Sequence, residues 1–136
     1  MNRKKFAAWI LLLFLIVSLA GRGSREEDTM NTVSYQQITA EEAKSMMEEQ
    51  PDAVILDVRE QDEYDAGHIP GAVLLSVGTI DEETAASAIP ENDTVVLVYC
   101  RSGNRSKTAS QSLVDLGYTQ IYEFGGIQDW PYDLER

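Results

Sequence analysis

The chain has one cysteine, which opens the segment Cys100-Arg101-Ser102-Gly103-Asn104-Arg105-Ser106 directly after the apolar run Thr94-Val95-Val96-Leu97-Val98-Tyr99. A thiol at the end of a buried strand, before a short polar loop and a helix, lies where several backbone N–H groups can aim at one sulfur. The helix N-terminus adds to them, and each favours negative charge there, so the arrangement predicts an activated thiolate. The charge map points to the same place. From Glu26 onward six Lys/Arg stand against 23 Asp/Glu, and Arg101, Arg105 and Lys107 are three of those six. A free cysteine titrates at about 8.5, and guanidinium groups with loop N–H groups lower that value. Gly103 lets the loop take a positive φ without strain, and Ser106 is expected to cap the following helix. Arg101 and Arg105 are placed to bind an anionic substrate by forked hydrogen bonds. Cys100 is the candidate nucleophile; Arg101, Ser102, Gly103, Asn104, Arg105 and Ser106 are the candidate binding loop.

Composition narrows the alternatives. The formal net charge of −12 leaves no broad basic face, so no nucleic-acid partner is expected. A single cysteine excludes an internal disulfide, a CxxC redox pair and a cysteine-based zinc site. A single histidine, His68, excludes a His-rich metal cluster. No metal and no cofactor are expected.

The N-terminus reads as a targeting segment. Arg3, Lys4 and Lys5 precede an uninterrupted apolar run from Phe6 to Val17, and Ser18-Leu19-Ala20 offers small residues where a signal peptidase reads. Residues 1–21 are therefore expected to be a signal peptide or an N-terminal membrane anchor, although the run falls short of the ~20 residues a span needs. Leu19-Ala20-Gly21 is similar to the start of a bacterial lipoprotein signal, but Arg22 stands where the lipid-bearing cysteine would be. The expected location is extracytoplasmic, secreted or tethered to the membrane. Residues 22–32 read as a polar linker, and residues 33–136 as one folded domain.

Within that domain strand and helix signals alternate. Val33 to Ile38 predicts a short first strand, and Thr39-Ala40-Glu41-Glu42 is a capping box for a helix to about Glu49. Ala53 to Leu56 is a short apolar run of the kind buried on both faces of a sheet. Glu60 to Ala66 predicts a helical turn, Ala72 to Leu75 a short apolar stretch, and a helix starts near Asp81. Pro90 to Asp93 is a turn before the strand Thr94 to Tyr99. Ala109, Leu113 and Leu116 then recur at helical spacing, with Gly117 as the stop. Ile121 to Phe124 is a last strand before Gly125-Gly126. Strands separated by helices predict an α/β fold with a parallel sheet. Ligands of such sheets bind beyond the carboxyl ends of the strands. Cys100 stands at one such end and Asp57-Val58-Arg59 at another.

Leu56-Asp57-Val58-Arg59, Glu63-Tyr64 and Gly67-His68-Ile69-Pro70-Gly71-Ala72 together resemble the N-terminal signature of rhodanese-like domains. Cys100 to Ser106 resembles that family's active loop, and Gly125-Gly126-Ile127 with Trp130 its C-terminal signature. The resemblance spans about Val33 to Tyr132. It implies a single rhodanese-like α/β domain whose central parallel sheet is flanked by helices on both faces. It also implies a sulfurtransferase that takes a sulfane sulfur from thiosulfate or a persulfide onto Cys100. A thiol or other nucleophilic acceptor, which could be a protein, then removes it. Asp57 and Arg59 are expected to brace the loop or each other. The family places the stretch around His68 in a turn away from the nucleophile, so His68 is not expected to act as a base. Trp130 is expected to pack rather than stack on substrate.

Two other classes compete. A non-catalytic rhodanese module or sulfur carrier would bind or deliver sulfur for a partner protein. A phosphatase or arsenate reductase would use a longer loop, resembling Cys-x5-Arg. Cys100 and Arg105 enclose four residues, a smaller cradle that suits one sulfur better than a phosphoryl group.

Overall fold

The computed structural model describes residues 34–136. The expected export segment (1–21), the polar linker (22–32) and Val33 of the predicted first strand lie outside the described residues. The elements are β1 (Gln36–Gln37), α1 (Ala40–Glu49), β2 (Val54–Asp57), α2 (Gln61–Ala66), β3 (Val73–Leu74), α3 (Glu82–Ala88), β4 (Val96–Cys100), α4 (Asn104–Asp115) and β5 (Ile121–Gly126). Short 3-10 turns cover Val77–Thr79 and Ile127–Asp129. The five strands form one sheet in the order β1-β5-β4-β2-β3, and every pairing is parallel.

Period-two alternation along the central strand builds two cores. All five residues of β4 are buried. Val96, Val98 and Cys100 face one way, with Ala85 of α3 and Ala109 and Leu113 of α4. Leu97 and Tyr99 face the other way, with Ala43 of α1, Phe124 of β5 and the partly buried Tyr64 of α2. Burying one such aliphatic side chain contributes about 1.5–3 kcal/mol, so both faces of β4 are fixed by packing. The α/β architecture expected from alternating strand and helix signals is the one observed, with helices on both faces.

The local signals explain most boundaries. Thr39 caps α1: its Oγ1 accepts from Glu42 N–H at 3.1 Å, while Glu42 Oε2 accepts from Thr39 N–H at 2.8 Å. Asp81 and Thr84 make the same reciprocal bonds at α3. Three expectations shift. The first strand is shorter than predicted, because β1 is an edge that pairs only with β5 and exposes both of its residues. β4 starts later, because the turn before it continues to Thr94, whose Oγ1 accepts from Glu91 N–H. It also ends later and takes in Cys100. On α4 the buried face is Ser106, Ala109, Ser110 and Leu113. Leu116 is exposed, because the helix closes at Asp115 and Gly117, at φ +99°, turns the chain away.

Candidate active site

Cys100 is the last residue of β4 and its side chain is 1% exposed. It pairs with Gly126 across a register irregularity that follows Val98, where the chain leaves the sheet to form the loop. Gly103, at φ +105°, is the N-cap of α4 and turns its N–H onto Cys100 Sγ at 3.0 Å. Ser106 Oγ lies 3.4 Å from the same sulfur. Burial pushes the thiol pKa up, but the Ser106 hydroxyl and the N–H groups of Ser106, Gly103 and Ser102 outweigh it and lower the value.

The loop is held from behind by β5. Arg101 C=O accepts from Gln128 N–H at 3.2 Å. Gly126 lies so close that a Cβ there would stand 2.1 Å from Arg101 O and 2.6 Å from Ser102 Cα. Its backbone is ordinary extended chain, so space rather than conformation requires glycine at this position.

Ser106 does not cap the helix. Gly103 takes that position, and Ser106 falls in the first turn, fully buried, with its hydroxyl 2.6 Å from Glu123 Oε1. Glu123 of β5 is 3% exposed and also accepts from Gly125 N–H at 2.8 Å. Sequence reasoning missed Glu123, although a signal was present. Alternation along Ile121-Tyr122-Glu123-Phe124 puts an acid on the same buried face as Ile121.

Arg105 is half-buried and forks onto Glu63 of α2, with Nη1 to Oε2 at 2.7 Å and Nη2 to Oε1 at 2.8 Å. The guanidinium beside Glu63 holds its carboxyl at about 2, below the ordinary 4.5, and the same bonds raise the Arg105 pKa. A depressed carboxyl pKa stabilises the fold fully above its unfolded value, and that contribution is lost as pH falls through the folded value. Glu63→Gln is therefore expected to flatten the acid limb of a stability curve between about pH 4.5 and 2. Chemical denaturation across that range measures it, and an unchanged acid limb would rule out the pair as its source. Arg101, Ser102 and Asn104 are exposed at the loop's outer side. Among the described residues Arg101 has no ion-pair partner.

Asp57 and Arg59 are not brought to the sulfur. In register, Asp57 pairs with Tyr99, so both belong to the sheet face opposite Cys100. Arg59 Nη2 donates to Asp57 Oδ2 at 2.7 Å and to Gly67 C=O at 2.7 Å, and Tyr99 Oη donates to Asp57 Oδ2 at 2.6 Å. Burial alone would lower the Arg59 pKa, but Asp57 outweighs it and raises the value. The pair braces each other and ties down the turn from Gly67 to Ile69, whose N–H donates to Tyr99 Oη at 3.1 Å. His68 stacks on Tyr64 with ring centroids 3.8 Å apart and bridges the backbone of Glu135. Trp130 packs on Phe124 and Tyr132. Among the described residues no cluster of His, Cys, Asp or Glu could hold a metal.

One buried thiol, biased towards its anion by loop N–H groups and a hydroxyl, can act as a nucleophile and hold a covalently attached atom. The family model for the rhodanese-like domain matches residues 39–132. The chain is 36% identical over 97 residues to the thiosulfate sulfurtransferase GlpE of Coxiella burnetii, covering 71% of this chain and 87% of that protein. It is 32% identical over 110 residues to YrkF of Bacillus subtilis, a protein named for sulfur carriage; the match covers 80% of this chain but only 58% of YrkF. A solved structure of a rhodanese with anions from E. coli superposes with a TM-score of 0.58 at 30% identity, covering 62% of this chain and 98% of that one. With that fold, this loop and these relatives, the chain belongs to the rhodanese-like family.

Proposed function

We propose that the protein is a sulfurtransferase that carries sulfane sulfur on Cys100 between an anionic donor and a nucleophilic acceptor. The observation that carries this reading is the cradle itself: a cysteine that is 1% exposed, its sulfur facing Gly103 N–H and the Ser106 hydroxyl. With thiosulfate as donor, the Cys100 thiolate attacks the outer sulfur, the S–S bond of the donor breaks, and sulfite leaves with the electron pair. The product is the Cys100 persulfide anion, whose charge the loop donors hold. An acceptor thiolate then takes the outer sulfur and releases the Cys100 thiolate, so ping-pong kinetics are expected. Arg101 is exposed and free of any ion pair among the described residues, so its guanidinium is available to an anionic donor. The phosphatase reading is disfavoured by Arg105, both of whose forked donors are already engaged by Glu63. In this reading residues 1–21 place the reaction outside the cytoplasm.

Intact mass of the purified chain after incubation with thiosulfate tests the proposal. A reductant-labile gain of one sulfur atom is expected, and Cys100→Ser should abolish it while leaving the fold intact. No gain, or a gain retained in Cys100→Ser, would overturn the assignment. Steady hydrolysis of an aryl phosphate dependent on Cys100 would favour the oxyanion reading instead.

A further inference from the structure

Glu123 has no part in the steps above, yet it is a carboxylate 3% exposed on a strand whose same-face neighbour, Ile121, lies in the apolar core. A buried carboxylate needs partners. Glu123 has two, both at Oε1: Gly125 N–H at 2.8 Å and the Ser106 hydroxyl at 2.6 Å. The second distance is typical of a hydroxyl bound to an ionised carboxylate. The same Ser106 Oγ lies 3.4 Å from Cys100 Sγ. One hydroxyl therefore joins the thiol to the carboxylate.

A hydroxyl has one proton, and that sets the polarity of the chain. Carbonyls of Gly103 and Gly125 lie 3.0 and 3.4 Å from Ser106 Oγ, but the carboxylate is nearer. With its proton directed at Glu123, Ser106 accepts from the Cys100 S–H and offers a thiolate no donor; it favours the anion only when its own proton turns to the sulfur. Releasing the thiol proton to solvent from that state would leave two anions on either side of one neutral hydroxyl, in a buried place. Moving both protons inward avoids it.

We propose that Glu123 stores the proton that Cys100 gives up, with Ser106 as the relay. The Cys100 S–H bond breaks as an O–H bond forms on Ser106, and the original Ser106 proton passes to Glu123 Oε1. No electrons change hands, and the network carries one negative charge before and after. The thiolate then receives two donors, Ser106 O–H and Gly103 N–H. When an acceptor has removed the outer sulfur, the stored proton can return to Cys100. Glu123 touches neither donor nor acceptor; it is a positioning residue that sets where the proton rests.

The surrounding elements supply few other charges. β4 contributes Cys100, and α4 contributes the buried hydroxyls of Ser106 and Ser110. Arg105 of α4 is paired with Glu63, although its charge also acts on Cys100. From β1 the register neighbour of Glu123 is the uncharged Gln37.

The purpose of the relay rests on the sulfurtransferase reading, but its test needs only the resting chain. Ultraviolet absorbance of the thiolate and the infrared band of protonated carboxyl are followed together against pH. The wild-type thiolate is expected to appear in two steps separated by a shoulder. Across that shoulder one protonated-carboxyl band persists, and Glu123→Gln abolishes it. Glu123→Gln should titrate in a single step, and Ser106→Ala should lose at least tenfold of the thiolate signal at the shoulder. A single-step wild-type curve that Glu123→Gln merely displaces, or a thiolate at neutral pH without the carboxyl band, would overturn the proposal. Should either variant fail to fold, the wild-type curve and band decide alone. A two-step curve in a chain that takes no sulfur from thiosulfate would sink the sulfurtransferase reading and leave the relay standing.

Discussion

Gly126→Ala is expected to slow reaction at Cys100 by roughly 10²-fold, the cost of misplacing reacting groups by about 1 Å. The added Cβ would lie 2.1 Å from Arg101 O, against an ordinary contact of 3.4 Å or more. Arg101 is the first residue of the loop, and its carbonyl is held there by Gln128 N–H. The strand cannot yield easily, because Gly126 is paired with Cys100 across the sheet and β1 anchors β5 further back at Tyr122 and Glu123. The loop must therefore retreat, taking Gly103 N–H and Ser106 out of line with the sulfur. Overpacking of this kind also destabilises by about 1–3 kcal/mol. Alkylation of Cys100 under conditions where the variant is folded separates the two effects. Gly78→Ala is the control, since a Cβ there meets nothing within 4 Å and should change stability by less than about 0.5 kcal/mol. Alkylation of Gly126→Ala at the wild-type rate would show that the loop is not aimed by its contact with β5.

This dependence of the loop on β5 marks where the sequence stops being legible. Signals that act over a few residues were readable: the Thr39–Glu42 capping box, the helix start at Asp81 and the Gly117 stop all have local causes. So was the parallel sheet, because a run such as Val96 to Tyr99 is apolar throughout only when both faces are covered. The partners of the candidate site were not readable in the same way. Arg105 and Glu63 lie 42 residues apart, and Ser106 and Glu123 lie 17 apart. Nothing in local spacing selects those pairs from many acidic residues. The placing of Ser106 failed for a smaller reason. Gly103 begins α4 from a left-handed conformation, three residues before Ser106, so the hydroxyl turns inward to the sulfur and Glu123. For Asp57 and Arg59 the spacing of two showed that they could pair. Which face they occupy depends on register: Asp57 is level with Tyr99, one residue short of Cys100. That offset puts the ion pair and the sulfur on opposite sides of one sheet.

The opposite face has its own energetic consequence. Arg59→Met is expected to destabilise the fold by about 3–5 kcal/mol, because it strands the Asp57 carboxylate without its counter-ion. Asp57 is 0% exposed and Arg59 5% exposed, so water replaces little of what is lost. The same substitution frees Gly67 C=O, which anchors the turn preceding β3. Asp57→Asn removes the charge from the other partner and leaves the guanidinium buried without its counter-ion, held only by neutral acceptors such as Gly67 C=O. Because both changes delete one shared contact, the double variant should lose markedly less stability than the two single losses added together, with a coupling of about 0.5–3 kcal/mol. Denaturant unfolding of the four proteins measures the cycle. The alkylation rate of Cys100, taken in folded protein, should stay near the wild-type value in all four, because the pair faces away from the sulfur. Additive losses would mean that Asp57 and Arg59 act through separate partners, Tyr99 and Gly67, rather than through each other. A slowed Cys100 in every variant would mean instead that the turn from Gly67 to Ile69 reaches the loop through the sheet, joining the two faces mechanically.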